Sequence, residues 1–213
     1  MTGKILIAPE YEAIEGPLIF LAGPIQGAYR WQDDAIRIIS QSAPELNIAS
    51  PRRSSERSHD GNFSTEMYAE QVDWETCHLR RAGKDGVILF WLAKESEHLC
   101  DRAYAQTTRF ELAEWKMRHE RDGANLVIGI ESGFTGAKYI KRRFSQDCPE
   151  VSICSTLEAT CEEAVRYVMK SPIEEHSGMG DVGKYTSTKE YFKRRGFPAP
   201  EFNSRFKRKK YYK

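Results

Sequence analysis

Short, largely apolar runs alternate with amphipathic stretches along this chain, and no other feature restricts its fold so tightly. The runs are Leu18–Leu21, Leu46–Ala49, Gly86–Leu92, Leu126–Ile130 and Val151–Cys154. Their character suits strands covered on both faces, as in parallel sheets. Parallel neighbours need a crossover of roughly a dozen residues or more, usually a helix. Trp31–Ser42, Thr65–Ala82, Thr108–Arg121, Lys138–Ser145 and Leu157–Met169 carry that helical patterning. The alternation predicts an α/β fold: a doubly wound, five-stranded parallel sheet with helices on both faces. Lys4–Ala8 adds a candidate short edge strand before Pro9.

Several helix starts carry their own chemistry. Ser155-x-x-Glu158 and Thr108-x-x-Glu111 fit the capping box, and Phe63 before Ser64 is placed to staple onto Tyr68. From Ser171 onward the periodicity dissolves, and Arg205–Lys213 holds six basic residues in nine positions. The expected organisation is one domain over residues 1–170 followed by a loosely structured basic tail over 171–213.

Size and composition narrow the function classes. With 213 residues, 40% of them hydrophobic, the chain supports one well-buried core rather than two full domains. Thirty-two Lys and Arg nearly balance 31 Asp and Glu, so the charge excess of a dedicated nucleic-acid binder is missing. Five cysteines form no CxxC pair, and three fall inside helix or strand patterns, which points to a reducing compartment. No apolar run approaches the roughly 20 residues of a membrane span, and the N-terminus has no signal-peptide core. A cytoplasmic location is expected. His59, His98, His119 and His176 show no metal-ligand spacing, so neither metal nor cofactor is expected.

In a doubly wound sheet ligands bind beyond the carboxyl ends of the strands. Three loops there stand out. Ala22-Gly23-Pro24-Ile25-Gln26-Gly27 has glycines that let backbone approach a ligand, but not the GxGxxG or GxxxxGK[ST] spacing. Arg52 and Arg53 follow a strand end, where they suit either a phosphate or carboxylate partner or a solvated loop. Lys94–Thr107 is a polar stretch of 14 residues, and loops of that length are usually functional or mobile.

Two glutamates carry the candidate chemistry. On a helix, Tyr68, Val72, Glu75 and Leu79 share one face, which turns Glu75 toward the sheet and Asp73 toward water. An inward carboxylate needs a pairing partner or a polar cleft, so Glu75 is either a site residue or half of an ion pair. His78, on the flank of that helix beside Trp74, reads as structural or surface rather than catalytic. For Glu111 the capping box is one explanation. Proximity to a helix N-terminus would also stabilise its charge and lower its pKa, which suits a permanently ionised nucleophile beside a proton-holding Glu75. Retaining glycosyl transfer uses such a division: one carboxylate forms a sugar ester and the other handles a proton.

Taken in order, Ile19-Phe20-Leu21-Ala22-Gly23-Pro24, Ser50-Pro51-Arg52-Arg53, Gln71-Val72-Asp73-Trp74-Glu75, Val87-Ile88-Leu89-Phe90-Trp91 and Arg109-Phe110-Glu111-Leu112-Ala113-Glu114-Trp115 resemble the nucleoside 2-deoxyribosyltransferase family, in its deoxyribosyltransferase-like branch. The resemblance spans about residues 4 to 170. It implies a flavodoxin-like fold, often oligomeric, whose glutamate nucleophile breaks an N-glycosidic bond and passes a deoxyribosyl group to another base. On that resemblance Glu111 takes the nucleophile position, Glu75 lies near the family's base-contacting aspartate, and Gly23, Pro24 and Ile25 line the site. Phe20 stands where characterised transferases have a tyrosine, Ala113 where they have glycine, and Tyr104–Thr108 replaces an Asp-x-Gly-Thr run, leaving Asp101 as a substitute sugar-binding carboxylate. The expected partners are a nucleoside or nucleotide donor and a nucleobase acceptor. Two alternatives accompany this reading. One is a nucleoside 5′-monophosphate N-glycosidase with Arg52, Arg53 or Arg109 on the phosphate. The other is a non-catalytic nucleotide or nucleic-acid-binding module using the basic tail.

Overall fold

The computed structural model describes residues 2–54 and 64–170. Its elements run in the order β1 (Ile5–Ile7), β2 (Leu18–Ala22), α1 (Trp31–Ser42), β3 (Asn47–Ser50), α2 (Thr65–Asp85), β4 (Gly86–Leu92), α3 (Gln106–Asp122), β5 (Leu126–Ile130), α4 (Ala137–Asp147), β6 (Ile153–Cys154) and α5 (Leu157–Lys170). All pairings are parallel, in the sheet order β1-β3-β2-β4-β5-β6. The sheet therefore has six strands rather than five, because the short N-terminal run pairs Ile5, Leu6 and Ile7 with Ile48, Ala49 and Ser50 of β3. Without that edge strand the order is that of a flavodoxin-like sheet. The basic tail expected from Ser171 and the Phe63 staple lie outside the described residues.

Strand alternation divides the core into two layers. Phe20, Ile88, Phe90, Leu92, Ile128 and Ile130 face one side, where Trp74, Leu79, Leu112, Trp115 and Phe144 of α2, α3 and α4 cover them. Ile19, Leu21, Val87, Leu89, Trp91 and Val127 face the other, under Trp31, Ile39, Leu157, Cys161 and Val168 of α1 and α5. Successive side chains of a strand point to opposite faces, so strands buried on both sides must be apolar throughout. β2, β4 and β5 meet that demand at almost every position.

The chain leaves β2 toward β3 on one side and toward β4 and β5 on the other. That reversal opens a crevice between the carboxyl ends of β2 and β4, the usual ligand position in such sheets. No described helix is long and apolar enough to cross a membrane. All five cysteines are free thiols.

Candidate active site

The loop after β2 is built for close approach. A Cβ on Gly23 would lie 2.3 Å from the Trp91 carbonyl oxygen and 2.6 Å from the Trp31 ring, so only glycine fits. The Pro24 carbonyl then accepts the Trp31 indole N–H at 2.8 Å, and the Arg52 guanidinium donates to the Ile25 carbonyl at 2.7 Å and to Gln32 Oε1 at 2.9 Å. At the far end the Gly27 carbonyl accepts from the Ser96 and Glu97 N–H groups at 2.8 and 3.1 Å. Gly23, Pro24 and Ile25 therefore belong to a turn clamped on both sides, and Arg52 is one of its clamps.

Arg53 is buried and faces α2. Its Nε donates to Gln71 Oε1 at 2.8 Å, and its Nη2 donates to Glu70 Oε2 at 3.1 Å. Gln71 passes the contact on: its Nε2 donates to the Pro51 carbonyl at 2.8 Å and to Glu75 Oε1 at 2.9 Å. A chain of hydrogen bonds thus runs from the loop after β3 to Glu75.

Glu75 does turn inward, but on a different helix face from the one periodicity predicts. Tyr68 is 60% exposed and Val72 is 40% exposed, whereas Gln71, Trp74, His78, Leu79 and Ala82 are buried. The stripe is rotated because Trp74 and His78 pack on the sheet: Trp74 meets Phe20 at 6.0 Å between ring centroids, and His78 stacks on Trp74 at 4.0 Å. His78 is structural as expected, and burial pushes its imidazole down to about 4. Phe20 is a core residue at 1% exposure.

The capping box at Thr108 is not formed. α3 begins two residues earlier, at Gln106, after Ala105 in a left-handed conformation at φ 55°, and no side chain caps it. Thr108 is a buried residue inside the first turn, and Glu111 is the sixth residue of the helix. The other box shifts by one residue: Thr156, not Ser155, caps α5, its Oγ1 accepting from the Ala159 N–H at 3.2 Å.

Released from a capping role, Glu111 is half-buried on α3. Burial is the main cause that raises its carboxyl well above the usual range, and the charge of Glu75 adds to it, followed by Glu114. The expected lowering by the helix N-terminus is therefore reversed. Glu75 is raised as well, by burial, against the opposing pull of Gln71 and Arg53. Burial thus favours the protonated form of each carboxyl, and at Glu111 the charge of Glu75 works in the same direction.

The other expected contributors lie outside this pair. Asp101 is largely exposed and pairs with Arg102 at 3.6 Å. Arg109 donates to the Thr135 carbonyl at 2.7 Å and sits 4.5 Å over the Phe134 ring. Residues not singled out in the sequence shape the crevice. Tyr104 donates its hydroxyl hydrogen to the Ala93 carbonyl at 2.7 Å, Trp91 donates to the Tyr29 hydroxyl at 3.2 Å, and Glu131 accepts from the Lys94 N–H at 2.9 Å. Gln71 had a visible signal, since it precedes Glu75 by one helical turn.

Among the described residues one group, His119, Cys148 and Glu150, brings metal-type ligand atoms within 4.8 Å of one another, a proximity that linear spacing did not show. His119 already bridges Glu150 Oε1 at 2.7 Å and the Ala124 carbonyl at 2.6 Å. The Lys116 ammonium on Glu120 and Asp147 supplies the neighbouring positive charge.

A family model described as nucleoside 2-deoxyribosyltransferase like matches residues 16–132, which include the clamped turn, both glutamates and β5. The chain belongs to this family. No curated protein matches the sequence. The family is one of glycosyl-transfer enzymes in general character; which bond this deoxyribosyltransferase-like chain breaks is a question for its own residues.

Proposed function

We propose that the chain is a nucleoside 2-deoxyribosyltransferase-like enzyme that moves a deoxyribosyl group between nucleobases through a glutamyl ester on Glu111. The observation that carries the reading is two half-buried glutamates whose carboxyls are both raised, Glu75 on α2 by burial and Glu111 on α3 by burial with the charge of Glu75 adding to it.

In the first step a Glu111 carboxylate oxygen attacks C1′ while the C1′–N bond breaks. The bonding electrons leave on the base nitrogen, which takes a proton from Glu75. In the second step the nitrogen of an incoming base attacks C1′ and displaces the Glu111 carboxylate, and its surplus proton returns to Glu75. Two displacements restore the configuration at C1′. Raised carboxyls suit this cycle, because one group must be charged and the other protonated at each step.

A nucleoside donor is favoured over a nucleotide. The guanidiniums considered for a 5′-phosphate, Arg52, Arg53 and Arg109, each donate to protein oxygens. The proposed partners are accordingly a deoxynucleoside, a free nucleobase and, as is common in this family, further copies of the chain in the cytoplasm.

The test is incubation with a panel of deoxynucleosides plus free bases, with chromatography of the products. Base exchange in the native protein and its loss in Glu111→Ala are the expected results. If Glu111→Ala exchanges bases at the native rate, the assignment is wrong.

A further inference from the structure

Building on that reading, we propose that Gln71 is the positioning residue for the proton transfer: it reserves Oε1 of Glu75 as an acceptor, so that any proton carried by Glu75 sits on Oε2. The orientation of the Gln71 amide is fixed by its partners. A guanidinium only donates, so the amide edge that meets Arg53 Nε at 2.8 Å must be Oε1. A carbonyl only accepts, so the edge that meets the Pro51 carbonyl at 2.8 Å must be Nε2. Two independent partners therefore demand the same orientation, and no flip satisfies both.

The remaining amide hydrogen is then aimed at Glu75. Nε2 donates to Glu75 Oε1 at 2.9 Å, and an oxygen that accepts this bond is the carbonyl-type oxygen of the protonated acid. The proton is left to Oε2. Gln71 and Arg53 also stabilise the charged form of Glu75, which makes the acid readier to give its proton up. Burial acts on Glu75 in the opposite sense. Arg53 acts through Gln71, and its own contact with Glu70 holds it against α2.

The cycle in the proposed function requires the proton to leave Glu75 toward the departing base and to return from the incoming one. A carboxyl free to protonate on either oxygen would present the wrong one part of the time. Locking Oε1 removes that alternative without placing Gln71 in contact with substrate.

The test reads the carboxyl directly and does not depend on base exchange. Full-length protein labelled at the glutamate side-chain carboxyl carbons is titrated by carbon NMR, with Glu75→Gln identifying the Glu75 signal. In Gln71→Met the midpoint of the Glu75 titration is expected to move to higher pH by about 1, the scale of one hydrogen bond to a charged group. Where base exchange is measurable, kcat is expected to fall roughly tenfold, with the alkaline limb of its profile moving the same way. If Gln71→Met does not fold, Arg53→Lys, which keeps the charge but loses the fixed Nε contact, must move the same titration upward. A Glu75 titration that stays in place in the folded variant overturns the proposal, even if activity falls. A moved titration without base exchange in the native protein would uphold the positioning and refute only the transferase reading.

Discussion

Gly83 sets how closely α2 and α3 approach, and replacing it with alanine is expected to damage chemistry far more than stability. A Cβ there would lie 2.6 Å from Cζ3 of Trp115, and 3.3 Å from both Cε3 of that ring and Cδ1 of Ile88. Carbon atoms rest at about 3.5 to 4 Å, so the ring must withdraw by roughly 1 Å. Trp115 is buried, so the withdrawal moves α3 with it. Overpacking of this kind costs about 1–3 kcal/mol, while alanine recovers about 1 kcal/mol of helix propensity lost at glycine. The net loss is then about 0–2 kcal/mol, at most a few degrees of Tm for a chain of this size. Glu111 lies one turn before Trp115, so the same shift draws it from Glu75. A misplacement of about 1 Å in a catalytic pair can cost about a hundredfold in rate. Thermal melts and base-exchange rates of Gly83→Ala, with exposed Lys84→Ala as control, measure both effects. Titration of the Glu111 carboxyl, which should fall as the two charges separate, gives a readout independent of activity. A folded Gly83→Ala with native exchange and an unmoved Glu111 titration would refute the idea that this contact spaces the pair.

Two further expectations rest on the same geometry. Both glutamates bind protons more tightly folded than unfolded, so stability is greatest below the ordinary glutamate range and is lost as pH rises through their raised values. The loss is about 1.4 kcal/mol for each tenfold gain in proton affinity that a carboxyl acquires on folding. Glu75→Gln should flatten that loss in urea melts between about pH 5 and 9, and parallel curves for the two proteins would count against the pair. Trp31→Phe removes the 2.8 Å bond to the Pro24 carbonyl and should loosen the clamped turn, raising KM for the donor several-fold with little change in kcat; a fall in kcat at constant KM would show that the turn does not bind substrate.

Much of the fold was legible because the strongest signals come from burial. β2, β4 and β5 are apolar at almost every position, and a strand hidden on both faces leaves few alternatives. α1 matches its expected bounds. β1 was visible only as a candidate, since three residues on a sheet edge need little patterning. The start of α3 misled because Thr108 and Glu111 have capping-box spacing, while the real start depends on Ala105 adopting a left-handed conformation that alanine rarely takes. On α2 the aromatic packing of Trp74 and His78 set the rotation, and the apolar Tyr68 and Val72 were left outside. Glu75 was assigned inward on a stripe that is largely exposed, and it is inward because it neighbours Gln71 and Trp74. Arg52 and Arg53 suited either a ligand or a solvated loop because a strand-end arginine carries no mark of which acceptors the fold will bring to it.

The reversal at Glu111 has a chemical consequence. A helix N-terminus stabilises a nearby carboxylate by about 0.3–1 kcal/mol, and the effect fades beyond the first turn. Glu111 sits beyond that turn, where burying an uncompensated charge costs several kcal/mol and where a second carboxyl opposes it. Burial therefore outweighs the dipole, and the Glu111 carboxyl is raised rather than lowered. Gln71 and Arg53 favour charge on Glu75, against the burial that raises it. Attack in the proposed cycle requires Glu111 to be ionised as the C1′–N bond breaks. Positive charge developing at C1′ supplies the drive, since it stabilises an ionised Glu111 at the moment when a base nitrogen near Glu75 can take up a proton. If Glu111 is the nucleophile proposed above, its raised carboxyl would present water with a carboxylic acid rather than a reactive carboxylate until a nucleoside is bound.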